Sequence, residues 1–247
     1  MVVGLPHLFF QSLQRLHYII NPWRVSMLEI RGCYQAQLSD LLPGDKGEGL
    51  WITGLCTSAQ QVCQGDLLIQ YAPSVEDLEL AKAKGVVAVC CAHQPLAIED
   101  LPVYQLESWQ ASIGHLLSTF YEDPSSHMQI VGVTGTNGKT SVSYLIARAL
   151  QSLKKGSGYI GTLGHGVPGD LKKQSLTTPS QVDIHQYLAE LRDQSIEYVA
   201  LEASSHGLEQ GRLANLAIDI GVFTNLTHEH LDYHKTINAY LDAKRKL

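Results

Sequence analysis

The chain has 247 residues, a formal net charge of -6, 45% hydrophobic side chains and 17% charged ones. That much apolar surface and so few charges argue against intrinsic disorder and allow either one large core or two modest ones, of which two is the starting expectation. No run of Lys or Arg exceeds a few residues, which argues against a nucleic-acid track or an anionic-membrane patch; small acidic ligands must then be held by local groups.

The opening stretch from Val2 to Ile20 is apolar in patches. Gln11, Gln14, Arg15 and His17 interrupt it and no small-residue cleavage site follows, so it reads as neither a signal peptide nor a membrane span. Regular domain sequence begins at Met27, and residues 1–26 are expected to be an N-terminal extension or an upstream start of translation. The five cysteines, Cys33, Cys56, Cys63, Cys90 and Cys91, form no Cys-x-x-Cys pair, which suits reduced thiols in a cytoplasmic protein.

Residues 27–104 are expected to form a small α/β domain. Gly65-Asp66 turns into the apolar run Leu67-Leu68-Ile69; Ser74 caps a helix over Val75 to Lys84; Gly85 ends it and the strand Val86 to Cys90 follows. Pro95 and Pro102 then break the chain, and a domain boundary is expected near Gln105. A helix carrying Trp109, Ile113, Leu116, Leu117 and Phe120 leads to the turn Asp123-Pro124-Ser125-Ser126.

From there strand and helix alternate. Strands are expected at Gln129 to Thr134, around Tyr159-Ile160, at Tyr198 to Leu201 and at Ile218 to Phe223, with helices running through Leu153 and over Gln181 to Gln194. Apolar strands without a polar face argue for a mostly parallel sheet covered on both sides, with ligands at the carboxyl ends of its strands. The fold class read from this pattern is α/β: a small N-terminal α/β domain followed by a partial P-loop ATPase domain over residues 105–247.

The first chemical constellation follows the strand Ile130 to Val133. Thr134-Gly135-Thr136-Asn137-Gly138-Lys139-Thr140-Ser141 is a glycine turn entering a helix. Glycines let backbone N–H groups face a phosphate, the helix N-terminus adds a favourable dipole, and Lys139 supplies a point charge for the β and γ phosphates. Thr140 or Ser141 would place a hydroxyl on Mg²⁺. The usual pattern has glycine where Val133 stands, so this is a shortened Gly-x-x-Gly-Lys-Thr loop. Two constellations lie downstream. Glu202 stands at a strand end before Ala203-Ser204-Ser205-His206-Gly207-Leu208-Glu209-Gln210-Gly211-Arg212, as a helix cap or as a Mg²⁺ ligand. The segment Thr227-His228-Glu229-His230-Leu231-Asp232-Tyr233-His234 places two histidines four apart, a spacing that zinc could also use given a third ligand. Ala239 to Lys244 is a helical tail whose lysine, taken alone, reads as solvated.

The string Thr-Gly-Thr-Asn-Gly-Lys-Thr resembles the ATP loop of the Mur ligases and of the related folylpolyglutamate synthetases. The Glu-x-Ser-Ser-His-x-Leu-x-Gln-x-Arg stretch is similar to that of the tripeptide-forming Mur ligases and is lacking in the folylpolyglutamate synthetases. The resemblance is continuous from Ser108 to Lys244. It implies ATP binding through Gly135, Thr136, Asn137, Gly138, Lys139, Thr140 and Ser141, and Mg²⁺ held by Thr140, Glu202 and His230. UDP-substrate contacts would come from Thr177, Thr178, Ser204, Gln210 and Arg212. It further implies catalytic roles for Lys139, Glu202, His230 and Lys244, the last carried as a carbamate. The activity implied is ATP-dependent addition of a diamino acid, meso-diaminopimelate or L-Lys, to UDP-N-acetylmuramoyl-L-Ala-D-Glu through an acyl phosphate. That reaction belongs to peptidoglycan synthesis, in a cytoplasmic and monomeric protein. The other reading is a non-catalytic ATP- or UDP-peptide-binding remnant.

Departures from the family pattern are local. Leu176 stands where Asn is usual, and Glu229 where Asp is usual. Ser58-Ala59-Gln60 replaces the Asp-Ser-Arg of the uridine-binding domain, and Tyr71-Ala72-Pro73 enters a helix without the expected loop. Relative to the family, the rest of the ATPase domain and the amine-binding domain are expected beyond Leu247. With three residues after it, the Lys244 helix is expected to fray.

Overall fold

The computed structural model describes residues 34–42, 47–93 and 97–247. The expected extension at residues 1–26, Cys33 and Pro95 lie outside the described residues. A two-stranded antiparallel pair, β1 (Ala36–Gln37) and β2 (Trp51–Ile52), flanks the short helix α1 (Leu38–Leu41). Next comes a parallel four-stranded sheet in the order β3 (Gly54–Cys56), β4 (Asp66–Ile69), β5 (Ala88–Cys91), β6 (Val103–Gln105).

Every residue of β4 and β5 is buried, which is why these strands read as continuous apolar runs. Leu67, Ile69, Ala88 and Cys90 face Leu38, Leu41 and the helix α3 (Trp109–Phe120). Leu68 and Val89 face Leu78 and Ala81 of α2 (Val75–Ala83). Helix α2 begins where the sequence predicts because Ser74 Oγ accepts from Asp77 N at 3.1 Å while Asp77 Oδ2 accepts from Ser74 N at 3.3 Å. Cys63 and Cys91 are free thiols.

Helix α3 follows the expected boundary near Gln105, yet its apolar stripe of Ile113, Leu116, Leu117 and Phe120 packs into the first core. Val182 and Ala189 join the same cluster from α5 (Gln181–Asp193), so the two α/β units share a buried seam. At its edge Arg192 Nη1 donates to the Tyr121 carbonyl at 2.7 Å and Arg192 Nη2 to the Tyr34 hydroxyl at 2.7 Å.

The second sheet has six strands in the order β10-β9-β8-β11-β7-β12. Strands β7 (Gln129–Thr134), β8 (Ser157–Gly161), β11 (Tyr198–Glu202) and β12 (Ile220–Phe223) are parallel, as the sequence predicts. Ile130, Ile160, Val199 and Leu201 pack on one face against Ile184, Leu188 and Leu191 of α5. Tyr159 and Ala200 pack on the other against Ala147 of α4 (Lys139–Ser152). Fully burying one such aliphatic side chain contributes about 1.5–3 kcal/mol, so the two faces dominate the stability of this unit.

The sequence reading missed the antiparallel hairpin β9 (Gly164–Val167) and β10 (Asp170–Lys172) at one edge. Gly164, Gly166, Pro168 and Gly169 look like loop punctuation, and only pairing with β8 draws them into the sheet. After β11 come α6 (Ser205–Glu209), α7 (Leu231–His234) and α8 (Ile237–Lys244). The expectation that α8 frays is corrected: Tyr240, Ala243 and Lys244 are buried, and Leu247 packs beside Ile218 in the core of the second sheet. Among the described residues no helix is long and apolar enough to cross a membrane.

Candidate active site

The glycine turn leaves β7 at its carboxyl end, where its neighbours β11 and β12 also terminate. Gly135 and Gly138 have φ of 141° and 86°, backbone geometry that an L side chain rarely adopts, and a Cβ on Gly135 would collide with Thr224 Oγ1. The segment after β12 clamps the turn from outside. Thr224 Oγ1 donates to the Asn137 carbonyl at 2.7 Å, Asn137 N donates to Asn225 Oδ1 at 3.0 Å, and Thr227 N donates to Thr136 Oγ1 at 2.9 Å. Lys139 curls over the loop and donates to the carbonyls of Gly135 and Thr136 at 3.0 and 2.9 Å. Ser141 lies on the exposed first turn of α4.

Glu202, the last residue of β11, is fully buried beneath this loop. Thr140 Oγ1 donates to Oε2 at 2.9 Å, Thr162 N donates to Oε1 at 2.9 Å, Thr162 Oγ1 lies 3.2 Å from Oε2, and the Tyr159 hydroxyl donates to Oε1. Burial, and then the bond to Glu202, push the Tyr159 phenol well above its usual range, which keeps it a donor. A Cβ on Gly161 would collide with Glu202 Oε1 and the Tyr159 hydroxyl. Tyr159, Gly161 and Thr162 were missed by sequence reasoning. The only signal was the strand end itself, since Thr162 immediately follows β8.

The substrate-side residues of the sequence reading converge beside Glu202. Thr178 is buried and its hydroxyl is fully engaged, donating to the Glu202 carbonyl at 2.7 Å and accepting from Ser204 N at 2.9 Å. It therefore ties loops together here, whereas half-buried Thr177 has its Oγ1 3.1 Å from Thr162 Oγ1. Ser204 caps α6 by accepting from Gly207 N at 3.1 Å. Arg212 Nη1 donates to the Thr178 carbonyl at 2.6 Å, and its Nε and Nη2 donate to Gln210 Oε1 at 3.0 and 2.6 Å.

Lys244, which taken alone reads as solvated, is 2% exposed, donating from Nζ to the Gly135 carbonyl at 2.8 Å and lying over the Tyr240 ring at 4.3 Å. Burial and then the charge of Lys139 push its pKa down to about 8. Tyr240 in turn donates to Thr136 Oγ1 at 3.2 Å. His230 sits in a ring cluster, its centroid 4.9 Å from that of His206 and 6.1 Å from that of Tyr240, and His234 lies 5.5 Å from His206. Among the described residues no three His, Cys, Asp or Glu side chains form a set that could hold a metal ion by themselves. The Glu202 carboxylate is met by neutral donors and, among the described residues, by no ion pair. A buried carboxylate beside a threonine hydroxyl is a hard oxygen set, which fits Mg²⁺ completed by phosphate and water.

Residues 133–247 match the family model described as Mur ligase middle domain. The chain is 38% identical over 225 residues to a UDP-N-acetylmuramoyl-L-alanyl-D-glutamate--2,6-diaminopimelate ligase of Coxiella burnetii, covering 88% of this chain and 46% of that protein. A solved structure of a ligase of that name superposes with a TM-score of 0.71 at 29% identity, covering 86% of this chain and 44% of the other. A MurF ligase from Thermotoga maritima in complex with ADP shares the fold, with a TM-score of 0.50, 18% identity and coverage of 78% and 42%. The chain spans about half the length of the curated relatives it matches.

Proposed function

Because the chain belongs to the Mur ligase family, we propose that it is the nucleotide-handling portion of an ATP-dependent ligase that extends UDP-N-acetylmuramoyl-L-Ala-D-Glu by one diamino acid. The single observation that carries this reading is the pair Thr140 and Glu202, joined at 2.9 Å beneath a glycine turn with Lys139 at its rim. The names of the relatives favour 2,6-diaminopimelate over L-Lys as the incoming amine.

In the reaction a D-Glu carboxylate oxygen attacks the γ phosphorus of ATP and ADP leaves. The amine then attacks the acyl phosphate carbon, phosphate leaves and the amine loses a proton. The backbone N–H groups from Gly135 to Ser141 would hold the phosphates, and Lys139 would offset charge on the phosphoryl group in flight, where most of the rate gain arises. Thr140 and Glu202 would hold Mg²⁺, and the family resemblance adds His230 as a further ligand. Bound there, the ion would supply positive charge to offset that of the phosphates. Gln210 and Arg212 would offer an amide and a planar fork to the UDP-peptide, the chemistry that recognises carboxylate or phosphate. Lys244, in its carbamate form, would add an anion beside the same cation.

Calorimetric titration with Mg-ATP tests the reading. Lys139→Ala is expected to weaken binding at least about tenfold, or about 1.4 kcal/mol; equal affinity of the two forms removes the loop from the site. The second reading is binding of ATP or UDP-peptide without turnover. Tripeptide formation by the 247-residue chain at about 1 per second or faster, a typical enzyme rate, rules that second reading out.

A further inference from the structure

We propose that Thr162 is the positioning residue that links the substrate-side Thr177 to the cation-holding pair Thr140 and Glu202, a role that rests on the ligase reading above. Thr162 is the first residue past β8, at the carboxyl end of a parallel strand. Its backbone N–H donates to Glu202 Oε1 at 2.9 Å, fixing the carboxylate from one side. Its hydroxyl oxygen stands among three polar atoms: Glu202 Oε2 at 3.2 Å, Thr177 Oγ1 at 3.1 Å and Thr140 Oγ1 at 3.4 Å.

A hydroxyl has one proton to donate and two lone pairs to accept with. The carboxylate is the strongest acceptor of the three neighbours, so the Thr162 proton points to Glu202 Oε2. The Thr140 proton goes to the same oxygen, at 2.9 Å, which leaves the Thr177 hydroxyl as the donor to Thr162. The order Thr177 to Thr162 to Glu202 is a chain of aligned dipoles, in which each bond strengthens the next.

Both ends of this chain face groups that the reaction changes. An N–H or O–H of the UDP-peptide that donates to the Thr177 hydroxyl strengthens each bond of the chain and so holds Glu202 Oε2 in the orientation that meets a cation. Cation binding, by the same coupling, favours the Thr177 arrangement that meets substrate, since coupling free energies are reciprocal. The backbone is built for this contact: Gly161 has no side chain to push Glu202 away, and the Gln174 Nε2 amide donates to the carbonyls of Gly161 and Leu176 at 2.6 and 2.9 Å, holding the Thr177 segment against β8.

The test is ATP affinity by calorimetry, with and without MgCl₂, for the 247-residue chain, Thr162→Val, Thr162→Ser and Thr177→Val. Valine keeps the shape and the backbone N–H and removes only the hydroxyl. The Mg²⁺-dependent gain in ATP affinity is expected to fall about tenfold in Thr162→Val, the size of one lost hydrogen bond to a charged group. Thr162→Ser should stay within about twofold of the parent, and ATP affinity without Mg²⁺ should be unchanged in all four. Thr177→Val should alter the Mg²⁺-dependent gain when added to the parent or to Thr162→Ser and leave it unchanged when added to Thr162→Val, and equal effects in all three backgrounds overturn the inference. An unchanged gain in Thr162→Val, a serine form as weak as the valine form, or equal losses with and without Mg²⁺ overturns the inference while leaving the ligase reading intact. A parent chain that binds no ATP overturns both.

Discussion

Lys139 and Lys244 aim their ammonium groups at the same oxygen, the Gly135 carbonyl, at 3.0 and 2.8 Å. One carbonyl dipole does not neutralise two cations, and Lys244 is the buried member of the pair. Burial, and then the charge of Lys139, lower the Lys244 pKa to about 8.

A neutral amine is the form that attacks carbon dioxide and then loses a proton to become a carbamate. Lys244 is thus primed for that modification, and α8 is fixed by Tyr240 and Ala243 rather than frayed. With ¹³C-bicarbonate at pH 8, NMR of the 247-residue chain should give one lysine carbamate resonance that is lost in Lys244→Ala. An unchanged spectrum between parent and variant would mean that Lys244 remains an amine.

Gly161→Ala should separate folding from cation binding. Its Cβ would collide with Glu202 Oε1 and the Tyr159 hydroxyl, both anchored in the sheet, so the carboxylate must move. Overpacking of this kind costs about 1–3 kcal/mol. The variant is expected to fold with a lowered denaturation midpoint and to lose most of the Mg²⁺-dependent part of its ATP affinity. Parent-like values in urea unfolding and calorimetry would show that the pocket yields.

His165 sets an acid limit on stability. It is 3% exposed, stacked on Tyr187 with centroids 3.5 Å apart, and among the described residues neither ring nitrogen has a hydrogen-bond partner. Burial, with Lys172 adding to it, lowers its pKa to about 4, below the 6.5 of a free imidazole. Between those values the unfolded chain binds the extra proton, so stability falls as pH drops from 6.5 towards 4, by up to about 3 kcal/mol. His165→Phe keeps the stack and removes the proton. Thermal unfolding from pH 7 to pH 4.5 should show a shallower decline for the variant, and parallel curves would clear His165 of the effect.

Ser74→Ala removes half of the capping box at the start of α2, where Ser74 Oγ accepts from Asp77 N. The loss should be about 1 kcal/mol in urea unfolding. Helix α2 covers Leu68 and Val89 in the first α/β unit. Nucleotide binding in the second unit should be untouched, and a change in ATP affinity would reveal long-range coupling between the two.

Elements whose signals are local were legible in the sequence. Ser74 and Gly85 bound α2, the apolar runs of β7 and β11 announce buried parallel strands, and the glycine turn with Lys139 and Thr140 marks the phosphate loop. Glu202 was readable because a carboxylate at a strand end stands out against an apolar strand. The antiparallel hairpin was hidden because Gly164, Gly166 and Gly169 carry no β signal of their own.

What the tertiary structure alone decided is who meets whom. Tyr159 and Thr162 are ordinary residues until β8 and β11 pair in register and bring them to Glu202, some 40 positions away in the chain, where Thr162 also meets Thr177. Lys244 reads as solvent-facing until α8 folds back on the loop and removes it from water. The sequence determined which groups could carry charge and hydrogen bonds, because those properties belong to each residue type. Burial, shared acceptors and shifted protonation depend on neighbours far away in the chain, and only the folded packing supplies them.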